Sequence, residues 1–155
     1  MGMRIRSVAR PLTIAGIVLV ASLGLAGCTK PTPGVSVFSG ASSVHTEAVC
    51  WAADSDSLSP EQCASDLIAN ASASAPKLTV VSGDTVGISV DPVIANSGWT
   101  PIVNGQRLVE TPLTQNYFRF QYPSLQEVPA DGIELVIQAG QNTKTRGIWA
   151  VKLTR

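Results

Sequence analysis

Ile133-Glu134-Leu135-Val136-Ile137-Gln138 and Trp149-Ala150-Val151-Lys152-Leu153 are the stretches whose reading decides the fold. Ile133, Leu135 and Ile137 alternate with Glu134 and Gln138, and Trp149, Val151 and Leu153 alternate with Ala150 and Lys152. A period of two sends successive side chains to opposite faces, which is the pattern of a strand with one face buried. Ala139–Arg146, between them, is polar and turn-prone.

The same period recurs upstream. Val86, Ile88 and Val90 alternate with Gly87, Ser89 and Asp91, and Phe118, Phe120 and Tyr122 alternate with Arg119 and Gln121. Val35–Ser39 and Val44–Ala52 read as the first two strands. Leu78–Val81 and Thr85–Val90 follow, separated by the break Ser82-Gly83-Asp84. Trp99–Val103 and Gln106–Val109 flank Asn104-Gly105, a pair suited to a two-residue hairpin turn because both positions tolerate positive φ. One helix is predicted from Ser59-Pro60-Glu61-Gln62 to about Ala69. Ser59 can cap it, Pro60 suits its first position and Gln62 completes a capping box. Asn70–Pro76 reads as a small-residue linker. About seven to nine strands with turn signals at short spacing predict an all-β, immunoglobulin-like antiparallel sandwich with one short helix, a barrel being the second choice.

The N-terminus has a different character. Arg4, Arg6 and Arg10 precede the uncharged, apolar stretch Leu12–Ala26, and Leu25-Ala26-Gly27-Cys28 has the form of a bacterial lipobox. Leu12–Gly27 is 16 residues long, short of the roughly 20 that span a bilayer, so it reads as a secretory signal peptide. Residues 1–27 are expected to be removed. Cys28 is expected to carry a diacylglyceryl group, which would hold the chain at the outer face of the cytoplasmic membrane, since a pair of acyl chains anchors where a single one binds marginally. Residues 28–34, with two prolines and a glycine, read as a tether, and residues 35–155 as the domain.

Removing 27 of 155 residues leaves 128, which suits one domain. Of 11 basic residues, three leave with the signal; the remaining eight face 11 acidic ones, a net charge of −3. No basic stripe remains, which argues against a nucleic-acid partner. Cys28 is committed to lipid, so Cys50 and Cys63 are left to pair in an oxidising compartment.

The stretch Val86–Pro92, followed by Gly98-Trp99 and Asn104-Gly105-Gln106, resembles a family of uncharacterised actinobacterial lipoproteins. Lys30-Pro31-Thr32-Pro33, Glu47-Ala48, Cys63 and Gly147-Ile148-Trp149 add to the resemblance, which covers most of the mature chain. It implies an exported, lipidated β domain with one disulfide. It implies no catalytic or ligand residues.

Chemistry-bearing residues are sparse. His45 is the only histidine, and no Gly-x-Ser-x-Gly elbow accompanies it. The mature chain keeps no methionine, and its two remaining cysteines are expected to be bridged, so neither a transition-metal site nor a cofactor is expected. Asp54-Ser55-Asp56-Ser57 with Glu61 places carboxylates at alternate positions, as calcium loops do, yet leaves the EF-hand pattern unfinished. Trp149 shares parity with core residues, and one of Cys50 and Trp51 must point inward. A tryptophan in an alternating strand is usually core; of the three, Trp99, which follows the loop Ala95-Asn96-Ser97-Gly98, is the candidate for a surface role. The loops carrying Asn96 and Trp99, and Gln141, Asn142 and Lys144, are the expected binding surface.

The leading expectation is therefore a non-enzymatic binding or structural module of the cell envelope. Its partner would be another envelope protein or a cell-wall component. A small extracytoplasmic hydrolase is the alternative, and a solute-binding lipoprotein ranks third because one small domain lacks two lobes that could close on a ligand.

Overall fold

The computed structural model describes residues 31–122, 129, 131–141 and 143–155. Two sheets face each other across one apolar core. The first is built from β1 (Gly34–Ser39), β2 (Ser42–Glu47), β5 (Thr85–Val90) and β8 (Tyr117–Gln121), in the order β2-β1-β5-β8. The second has the order β3-β10-β9-β6-β7, formed by β3 (Cys50–Trp51), β10 (Gly147–Thr154), β9 (Ile133–Ala139), β6 (Trp99–Val103) and β7 (Gln106–Arg107). A short β4 (Lys77–Thr79) also lies on β10. The expected all-β sandwich is thus what the chain forms, and the chain alternates between its two sheets.

Parity explains the core. Val35 and Val37, then Val86, Ile88 and Val90, point inward from the first sheet. Leu135 and Ile137, then Trp149, Val151 and Leu153, meet them from the second. Full burial of each large side chain is worth roughly 1.5–3 kcal/mol. At the β6–β7 turn, Asn104 and Gly105 both have positive φ (48° and 78°), as the Asn-Gly signal predicts.

Several local expectations are corrected. The stretch Val44–Ala52 is not one strand. Its first part pairs with β1, and Cys50-Trp51 pairs with β10 in the opposite sheet. The crossing is made at Ala48-Val49, where Val49 N donates to the Ile148 carbonyl at 2.8 Å. Pairing is antiparallel except for β4, which runs parallel to β10. Pro33 and Gly34, read from sequence as the end of a tether, are buried, and Gly34 opens β1.

The helix also moves. Ser59 and Gln62 do form the reciprocal capping box, with Ser59 N donating to Gln62 Oε1 at 2.9 Å and Gln62 N to Ser59 Oγ at 3.4 Å. That box closes only a single turn. The Cys50–Cys63 disulfide, with Cα atoms 5.6 Å apart, pins the chain directly after it. Ala64 is then extended (ψ 150°), and α1 runs over Ser65–Ser74, through residues expected as linker. Pro76 lies just beyond the end of α1, and a proline biases the residue before it away from helical backbone. A second helix, α2 (Pro92–Ser97), stands where a loop was expected. The strand ends before Asp91, and Pro92 opens the helix, because its fixed φ suits a first helical position. Asp91 does not cap α2 by its side chain; its Oδ2 accepts from Gly34 N at 2.7 Å and ties α2 to β1.

Trp99 is the clearest correction. Its ring is fully buried, not presented to solvent. Leu113 returns to pair with it in both directions (N···O 2.9 and 2.7 Å). The indole Nε1 donates to the Gln115 carbonyl at 2.8 Å, and Phe118 meets the ring edge-on. The segment crossing from β7 to β8 therefore lids the position that local sequence placed in a loop.

Candidate functional site

The C-terminal end of α2 with Gly98, and the connection that leaves β9 at Gly140, come together where two glycines bring their backbones close. Gly140 N donates to the Gly98 carbonyl at 2.8 Å. Gly98 has φ 75°, and a Cβ there would lie 2.8 Å from Gln141 Cγ; Gly140 has φ 130°, and a Cβ there would run into the Lys144 carbonyl. A larger residue would crowd the Gln141 side chain at position 98 and the backbone of its own connection at position 140.

Between the loops lies an open cleft of about 360 Å³. Asn96 and Ser97 from α2 line one side, and Gln141 and Lys144 line the other. Arg146 lines it too, as does Asp56 from the loop closed by the disulfide. The volume is at the small end of small-molecule sites.

Arg146 is the best-held group in this cleft. Its Nη1 donates to Ser97 Oγ at 2.9 Å, and its Nε donates to the Ala52 carbonyl at 3.4 Å. Its guanidinium carbon stands 4.6 Å from the centroid of Trp51. Ser97 is itself fixed, donating its hydroxyl to the Val93 carbonyl at 2.8 Å. Trp51 rests on the buried Trp149, with centroids 5.8 Å apart. Gly147 makes room for this stack, since a Cβ there would lie 2.6 Å from both indoles. All these partners of Arg146 are neutral, so they orient the cation without neutralising it.

Of the expected surface residues, Asn96, Gln141 and Lys144 meet in the cleft and Trp99 is buried elsewhere; Asn142, and Cys28, where lipidation is expected, lie outside the described residues. Sequence reasoning missed Arg146, Ser97 and Trp51 as one unit. It weighed Asp56 only as a calcium ligand. Among the described residues, no group of three or more His, Cys, Asp or Glu side chains is arranged to hold a metal ion.

His45 sits on the exposed outer face of the first sheet, where its Nδ1 shares a 3.0 Å hydrogen bond with Ser36 Oγ. No carboxylate joins this pair among its described hydrogen bonds. A second hollow, of about 260 Å³, lies by the disulfide between Leu58, Pro60, Ile68 and Ile148. No helix among the described residues is long and apolar enough to cross a membrane.

The fold and the cleft define a two-sheet β sandwich with one disulfide and a polar cleft between α2 and the β9–β10 connection. Compared with protein families, with curated proteins and with solved structures, the chain matches none.

Proposed function

We propose that this chain is an exported lipoprotein of the cell envelope, held at the outer face of the cytoplasmic membrane by a diacylglyceryl group on Cys28. Its sandwich acts as a non-enzymatic module that binds an envelope protein or a cell-wall component through the Arg146 cleft. The lipobox Leu25-Ala26-Gly27-Cys28 supports the anchor, as does the resemblance to actinobacterial lipoproteins. The observation that carries the binding role is the convergence of two separate loops on a neutrally coordinated arginine. Only residues 29–32 separate Cys28 from the buried Pro33, a reach of roughly 15 Å at about 3.5 Å per residue. The domain would therefore work close to the lipid surface.

Metabolic labelling with a clickable fatty acid tests the anchor. The wild-type chain should take up label and fractionate with membranes, and Cys28→Ser should do neither. An unlabelled wild-type chain, or label that survives Cys28→Ser, contradicts the reading.

A further inference from the structure

A guanidinium that is partly buried and touched only by neutral groups is a charge waiting for a counter-ion. Arg146 is in that position. Its described partners are a hydroxyl, a backbone carbonyl and an aromatic face, and the rest of its donor fork has no hydrogen bond among the described residues. Lys144, two residues away on the same loop, adds a second cation to the cleft lining. Asn96 and Gln141 add side-chain amides, which can donate or accept. The cavity of about 360 Å³ is far larger than a bare ion requires, since a water's share of liquid volume is only about 30 Å³.

From this arrangement we infer that the cleft binds a small polar molecule through an oxyanion, a carboxylate or a phosphate, gripped by Arg146 and Lys144. The inference rests on the binding role proposed above and names the ligand chemistry of the same cleft. Arg146 supplies the planar fork that matches two oxygens of one oxyanion. Lys144 supplies a mobile point charge, and the amides of Asn96 and Gln141 read the remainder of the molecule. Asp56 stands on the same lining as a like charge to the ligand, so it limits affinity and disfavours a second negative group.

The test is calorimetric titration of the full-length protein, extracted from membranes in detergent, with N-acetyl-alanine and with inorganic phosphate. N-acetyl-alanine amide serves as the neutral control. Saturable binding of one or both oxyanions is expected, with none of the amide, and the tighter probe identifies the oxyanion source. Arg146→Lys keeps the charge but loses the fork, and should weaken binding roughly tenfold, the scale of one charge-assisted hydrogen bond. Lys144→Gln, at an exposed position, should weaken it severalfold without altering the fold, and Asp56→Asn should strengthen it. Failure of both oxyanions to bind, or equal binding of the amide, overturns the inference; so does affinity unchanged in both Arg146→Lys and Lys144→Gln. If cross-linking from Gln141 in intact cells still captures a partner, only the oxyanion assignment fails. If that capture is lost as well, the binding role of the cleft fails with it.

Discussion

Arg146 stacks on Trp51, its guanidinium carbon 4.6 Å from the ring centroid. The contact joins the cleft to the core, because Trp51 in turn packs on Trp149 at an interplanar angle of 51°. Replacing Trp51 with Leu keeps apolar bulk but removes both aromatic contacts. The expected loss is about 1–2 kcal/mol of stability, the sum of a cation–π contact and an aromatic pair. Urea unfolding followed by far-UV circular dichroism measures it, and an unchanged midpoint would show that the stack is incidental.

Trp149 also ties the start of the domain to the core. Its Nε1 donates to the Pro33 carbonyl at 2.9 Å in a fully buried bond. Trp149→Phe removes the donor, strands that carbonyl and leaves a void. A destabilisation of about 2–3 kcal/mol is expected. Hydrogen exchange at the start of β1 should rise more than at β9; a uniform rise would argue against a local tie.

The Cys50–Cys63 bridge closes a loop with a sequence separation of 13. Replacing both cysteines with serine should cost about 3 kcal/mol on the chain-entropy account. The same change should loosen the Asp56 side of the cleft. Chemical denaturation of the oxidised wild type beside the double variant measures the first effect, and proteolysis within residues 53–62 the second.

Tyr122 is buried, with 1 % of its surface exposed, and its hydroxyl has no hydrogen-bond partner among the described residues. Burial pushes its phenol above the ordinary value of 10.0, with Arg155 opposing the rise. A raised folded-state pKa means that the folded protein holds the proton more tightly than the unfolded chain. The contribution is therefore fully present below about pH 10 and is lost as pH climbs through the folded-state pKa. Thermal unfolding should show the wild type losing stability above pH 10 more steeply than Tyr122→Phe. Parallel profiles for the two proteins would refute this assignment.

Much of the framework was legible in the sequence because it follows from local alternation. β5, β9 and β10 each bury one parity of an apolar period, and the Asn104-Gly105 turn follows from backbone preference at two positions. What was not legible depends on distant partners. Trp99 is buried by Leu113 and Gln115, and no property of its own neighbours announces that. The parallel pairing of β4 with β10 joins Leu78 to Leu153, and the split of Val44–Ala52 arises because its two halves find different sheets. The site was half legible. Asn96, Gln141 and Lys144 were placed in polar end loops and do meet. Arg146 sits at the mouth of a strand, and only the third dimension sets it on Trp51 and Ser97. Its position directly before Gly147, within the polar connection, was the available signal.

Site-specific photo-cross-linking in intact cells shows whether an envelope-anchored module binds through the Arg146 cleft. The photo-reactive residue is placed at Gln141 in the cleft, with Ser43 on the exposed β2 strand as the comparison. One reproducible adduct is expected from position 141, reduced by Arg146→Lys and absent from position 43. No adduct at position 141, or the same adduct from both positions, would contradict binding through the cleft.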